Sequence, residues 1–194
     1  MPRSTITLDA PPAKLPPFPP RYFNPGELDC LVALVAGVNP RRMVEFGVNE
    51  GRAAATILLN VPGIEHYLGV DVLPGYKTQM ECQRKEVSLE PGKFAQHDPR
   101  FQLILSQRGS FDLNARSLPP CDATFIDADH SRAGVLNDYR IAKEALRAGG
   151  IIIFHDDNRR PEVQVSETLD ELAAAGAEIV HVEKTWLAFE RIDP

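Results

Sequence analysis

Five short stretches hold most of the residues that could do chemistry together: Gly47–Gly51, Asp71, Gly109-Ser110, Asp127–His130 and His155–Asn158. The first has glycines at i and i+4 between an apolar run and an Ala-rich one. Glycine there lets the backbone turn tightly and approach a ligand closely, and the helix that follows would aim its first N–H groups at an anionic group. Asn49 and Arg52 stand where a G-x-G-x-x-G dinucleotide fingerprint needs glycine, and no Gly-Lys-Ser/Thr phosphate loop is present. Asp71 comes 24 residues after Gly47, where an acid can accept hydrogen bonds from both vicinal hydroxyls of a ribose; capping a turn is its simpler alternative. His130, His155 and Asp127 are the candidates to accept a proton. His66, His97 and His181 lack such neighbours. Arg159-Arg160 could meet an acidic substrate group, a solvated loop being the plainer reading.

These stations follow runs that read as strands. Met43–Phe46, His66–Val70, Phe101–Leu105, Ala123–Ile126 and Ile151–Phe154 are short and largely apolar, as strands buried on both faces should be. Between them the 3.6-residue period predicts helices from Leu28 to Val35, after Gly51 to about Leu59, from Ala133 to Ala148 and over 162–175, with a further one in the middle of 74–92. Two closing strands, near 177–182 and 185–190, are separated by Glu183-Lys184 and predict an antiparallel hairpin. Alternating strands and helices imply a mostly parallel sheet covered on both faces. Ligands of such sheets bind outside the carboxyl ends of the strands, where the five stations fall.

The 194 residues suit one domain. Seven of the 17 prolines crowd residues 11–25, so 1–25 reads as an extended, partly polyproline II arm ahead of a domain spanning 26–194. Phe18, Tyr22 and Phe23 favour docking of its last residues, and removing residues 1–20 is expected to leave the fold intact. The net charge of −6 lacks the field that gathers nucleic acid or anionic lipid. An odd set of three cysteines without a C-x-x-C pair fits a reducing cytoplasm; with Trp186, they are expected in the core. The chain shows no signal peptide and no apolar run long enough to span a bilayer.

Glu45-Phe46-Gly47-Val48-Asn49-Glu50-Gly51 with Asp71 resembles the cofactor loop of class I S-adenosylmethionine-dependent methyltransferases, a likeness that runs from about Glu27 to Ile192. Phe125-Ile126-Asp127-Ala128-Asp129-His130, then Leu146–Gly150 and Phe154-His155-Asp156-Asp157, resembles the small bacterial branch similar to catechol- and caffeoyl-CoA-type O-methyltransferases. The resemblance implies a Rossmann-like three-layer sandwich whose seven-stranded, mostly parallel sheet has an antiparallel last strand. It implies methyl transfer from S-adenosylmethionine to a small-molecule acceptor, at oxygen, in a cytoplasmic enzyme. Glu45 and Gly47 would border the methionine moiety, Asp71 would hold the ribose and Ser110 would lie beside the adenine, with Asn49, Gly51, Val72 and Asp127 completing the cofactor wall. By the same resemblance a divalent cation would sit on Asp127, Asp156 and Asp157, the last replacing an Asn of the family pattern; three hard oxygens would suit Mg²⁺, Mn²⁺ or Ca²⁺ rather than zinc, and Asp156 and Asp157 can share an ion only if the strand ends before them. The Asn/Asp-Pro-Pro-aromatic signature of base-amino methylases is missing after the fourth strand, which argues against a nucleic-acid acceptor. A second copy of the chain is a candidate partner. The rival readings are an NAD-dependent oxidoreductase, which lacks its third glycine here, and a non-catalytic cofactor-binding or interaction module.

Overall fold

Strand-forming runs and amphipathic helices alternate through most of the chain, and a computed structural model describing residues 3–78 and 80–193 shows how they assemble. The strands are β1 (Ser4–Ile6), β2 (Arg42–Phe46), β3 (His66–Val72), β4 (Phe101–Ser106), β5 (Cys121–Ile126), β6 (Leu146–Phe154), β7 (Ile179–Val182) and β8 (Ala188–Arg191). They form one sheet in the order β1-β7-β8-β6-β5-β2-β3-β4. Every pairing is parallel except those of β8, which runs antiparallel to both β6 and β7. Helices α1 (Glu27–Ala36) and α2 (Arg52–Asn60) pack on one face; α3 (Arg132–Ala145) and α4 (Val165–Ala174) pack on the other. The three-layer sandwich follows from the strand composition, since the side chains from Ile151 to Phe154 are fully buried and need apolar cover on both sides.

The sheet has eight strands rather than seven. Ser4-Thr5-Ile6 lies ahead of the prolines, is rich in β-branched residues, and pairs in parallel with Val180–Val182. Further along the arm, Leu8, Ala10, Ala13 and Phe23 pack against the same core cluster as α1 and α2. The middle of 74–92 forms only a short 3-10 turn, Glu81–Lys85, because its apolar residues are too few to make a buried stripe. Helix α3 ends at Ala145, since Leu146 already belongs to β6 and pairs with Cys121. Five residues, not two, link β7 to β8. Cys82 is exposed rather than in the core.

The strand order reverses between β2 and β5, whose carboxyl ends lie side by side. Open sheets of this kind split apart at such a point and leave a crevice.

Candidate active site

The loop after β2 is built on three left-handed residues, Gly47 at φ 84°, Asn49 at 49° and Gly51 at 83°. Gly47 is irreplaceable on two counts, since a Cβ there would also lie 2.2 Å from the Asp127 carbonyl oxygen. The close approach lets the Asp127 N–H donate to the Phe46 carbonyl at 2.8 Å, locking the ends of β2 and β5 together. Asp71, near the end of β3, receives the Asn49 N–H on Oδ2 and the Val72 N–H on Oδ1, each at 2.7 Å. Burial pushes its carboxyl pKa up and these amides only partly reverse that. Each oxygen keeps a lone pair for a further donor. After β4, Ser110 accepts from Asn137 Nδ2 at 3.1 Å. Beside it Asp138 is fully buried, its Oδ2 has no partner, and desolvation raises its carboxyl to about 7.

Two imidazoles sit among carboxylates where β5 and β6 end. His155 Nδ1 lies 3.2 Å from both Asp127 Oδ1 and Asp156 Oδ2, and its Nε2 lies 3.5 Å from Glu27 Oε2. Burial disfavours charge on His155, but Asp127, then Asp156 and Glu27, more than reverse this and hold its pKa well above the ordinary value. His130 Nε2 is 3.2 Å from Asp156 Oδ2 and 3.5 Å from Asp127 Oδ1. It too is raised, burial being outweighed by its contact with Asp127 and the charges of Asp156 and Asp127. Its Nε2 nevertheless has no aligned hydrogen-bond partner. Asp156 can face this cluster because its φ of 59° ends the strand's alternation there.

Above these groups lies a cavity of about 720 Å³. Gly47, Asn49, Asp71, Val72 and Ser110 line one part of it. Asp127, His130, His155 and Asp156 line another, and Tyr22, Phe23 and Trp186 wall it further.

Three of the expected site residues do not reach the cavity. Glu45 points from β2 into the core, where its Oε2 accepts from the Tyr67 hydroxyl at 3.0 Å. Gly51 closes the turn at the start of α2, where a Cβ would lie 3.1 Å from the Gly92 Cα and 3.2 Å from the Ala95 Cβ. Asp157 faces away from Asp127 because the chain has resumed alternation by then; Arg3 grips both its oxygens at 2.7 and 2.8 Å, and Ser166 and His181 complete its shell. The acid-histidine group whose donor atoms all lie within 4.8 Å of one another is Asp127, His130 and Asp156.

A family model described as a methyltransferase domain matches residues 44–156, from β2 through the end of β6. The chain belongs to this family. Among solved structures, the methyltransferase fold is shared with cofactor-bound Rv0187 from MTB, at 18% identity and a TM-score of 0.61, over 92% of this chain and 84% of that one. The O-methyltransferase TomG from Streptomyces achromogenes, solved with S-adenosylmethionine, gives 14% and 0.60, over 88% and 80% of the two chains. The O-methyltransferase from Bacillus cereus, solved with S-adenosylhomocysteine, gives 17% and 0.59, over 88% and 82%. At such identities the likeness speaks to fold. No curated protein sequence matches the chain.

The methyltransferase draws its methyl group from S-adenosylmethionine, and the residues present fit that cofactor. The Asp71 oxygens have lone pairs for two ribose hydroxyls, and Ser110 lies on the same wall. Glu27 is the residue that sequence reasoning missed. It is fully buried at the start of α1, yet its carboxylate binds the Trp186 N–H, the Asn24 N–H and His155. Its only signal was an acid on the apolar face of a helix.

Proposed function

We propose that this chain methylates an oxygen of a small-molecule acceptor in the part of the cavity walled by Phe23, Trp186 and His130. The observation that carries this reading is His130 Nε2, a buried nitrogen on the cavity wall with carboxylates on either side and no aligned partner. A hydroxyl would supply the missing hydrogen bond. S-adenosylmethionine brings an already electrophilic methyl group, so the protein's work is to hold donor and acceptor in line and to take up a proton. Asp71 and the Gly47–Asn49 loop hold the donor. His130, when neutral, takes the acceptor's proton, and Asp127 and Asp156 stabilise the resulting imidazolium. His155 stays charged between Asp127, Asp156 and Glu27 and fixes where those two aspartates point. Phe23 and Trp186 keep water from the reacting atoms. The negative overall charge and the walled cavity both favour a small molecule over nucleic acid.

A second reading rests on the same cluster. Asp127, His130 and Asp156 offer two oxygens and one nitrogen close enough for one ion. That set suits Mn²⁺ or a similar transition ion better than the all-oxygen shells of Ca²⁺ or Mg²⁺. Such an ion would lower the pKa of an acceptor hydroxyl.

Incubation with methyl-labelled S-adenosylmethionine and a panel of small hydroxyl compounds tests the proposal. Label recovered as a methyl ether supports it; label on nitrogen or carbon, or no affinity for S-adenosylhomocysteine, overturns it.

A further inference from the structure

Arg159 and Arg160 are neighbours in sequence with different surroundings. Arg159 is paired with Asp170, Nη1 to Oδ2 at 2.6 Å. Arg160 has no carboxylate partner among the described residues; its guanidinium lies 4.3 Å from the centre of the Trp186 ring, and both residues line the cavity. The backbone beneath it is fixed. The Arg160 N–H donates to Asn158 Oδ1 at 3.0 Å, and Asn158 Nδ2 donates to Asp156 Oδ1 at 3.0 Å. One asparagine thus ties the position of Arg160 to a carboxylate of the reacting cluster. Trp186 in turn lies 6.3 Å from the His155 ring, and Phe23 lies 4.9 Å from it. Imidazoles, an aromatic wall and a guanidinium follow one another along the cavity.

We propose that the acceptor is a hydroxylated aromatic carboxylate, its anionic group bound by Arg160 and its hydroxyl lying at His130. This rests on the oxygen-methylation reading and names its substrate class. A guanidinium lying over an indole is oriented and shielded on one face, while its N–H groups still point outward in its own plane. That fork matches the two oxygens of a carboxylate. The other arginine on the cavity wall, Arg108, is held by Asp112 at 2.8 Å. Of the acids that line the cavity, Asp127 and Asp156 are engaged by the two histidines, and among the described residues none forms an ion pair with Arg160.

The chain's single tryptophan is Trp186, so its fluorescence reports on this subsite. Protein saturated with S-adenosylhomocysteine is titrated with 4-hydroxybenzoate and with 4-hydroxybenzamide, which differ in charge and little else. Calorimetry repeats each titration, because loss of the stacked guanidinium will itself alter the emission. The carboxylate should bind about tenfold tighter than the amide, as one charge-assisted hydrogen bond requires. Arg160→Gln should abolish that preference, Arg160→Lys should keep part of it, and both should leave S-adenosylhomocysteine affinity unchanged. Equal binding of acid and amide, a preference that survives Arg160→Gln, or binding of neither compound to cofactor-loaded protein overturns the proposal. Failure of the parent protein to bind S-adenosylhomocysteine would instead strike the methyltransferase reading beneath it.

Discussion

Arg3 and Asp157 form an ion pair whose side chains are only 6% and 2% exposed. Arg3→Met removes the guanidinium and keeps most of the aliphatic stem, leaving Asp157 to Ser166 and His181. Removing one member of a buried pair costs about 3–5 kcal/mol; with two partners remaining, about 3 kcal/mol is expected. In a chain of this size that lowers the melting temperature by about 6–12 °C. The denaturant midpoint should fall with an unchanged slope. The pH dependence has a definite sign. Burial pushes the Asp157 carboxyl up, but hydrogen bonds from His181, Arg3 and Ser166 outweigh it and hold the group well below the ordinary carboxylate range. The stability this supplies is present above the unfolded carboxyl's pKa and lost as pH falls through the lower folded value. The deficit of Arg3→Met should therefore shrink in strong acid. It should also shrink when Asp157→Asn is already present, since no buried charge is then stranded. A loss within about 1 kcal/mol at neutral pH, or an equal loss in the Asp157→Asn background, would refute the reasoning. Removing residues 1–20 would take β1 and Arg3 with it, so that deletion should lower the melting temperature at least as far as Arg3→Met does.

Asp71→Ala should weaken S-adenosylhomocysteine binding by about 1.5–3 kcal/mol, the worth of hydrogen bonds to a charged group; calorimetric affinity within a factor of about two of the parent's would remove Asp71 from the ribose site. Burial raises Asp138 to about 7 in the folded state, so between the unfolded carboxyl's pKa and about 7 the folded state holds the proton that the unfolded chain releases, and stability should fall as pH rises through that window and level off above it. Asp138→Asn should gain on the parent across that window in paired melting scans, and parallel curves would count against a buried acid. Mn²⁺ should raise the melting temperature by binding the folded state, an effect lost in Asp156→Asn and kept in Asp157→Asn. Scans indifferent to the ion, with turnover that resists EDTA, would leave proton transfer to His130 unaided.

The layered fold was legible because the strands between Met43 and Phe154 are largely apolar and most of the stations of polar residues fall just after them. That Gly47 and Asp71 line the cavity was legible for the same reason: both are fixed by where strands end. What failed were judgements that depend on which way one side chain turns. Glu45 lies one residue before the end of β2, so strand alternation sends it into the core rather than the cavity. Asp156 and Asp157 look equivalent on paper, yet a single left-handed residue sends one to the histidines and the other to Arg3. Contacts between distant segments, such as Glu27 with His155 and Trp186 or Ser4–Ile6 with β7, leave no local pattern in the sequence at all.

The insertion of β8 between β6 and β7 has a consequence for the order of assembly. Strand β7 touches the rest of the sheet only through β8, and β1 touches it only through β7. During synthesis β1 and β7 must therefore wait for β8 before they can join the sheet, while β2 to β6 are free to associate beforehand. Until Ala188–Arg191 arrives, Asp157 has neither Arg3 nor a fixed His181, and Glu27 lacks the Trp186 amide. A nascent chain would carry a nearly complete cofactor cleft well before it could carry a working acceptor pocket, so binding competence should precede turnover competence during folding.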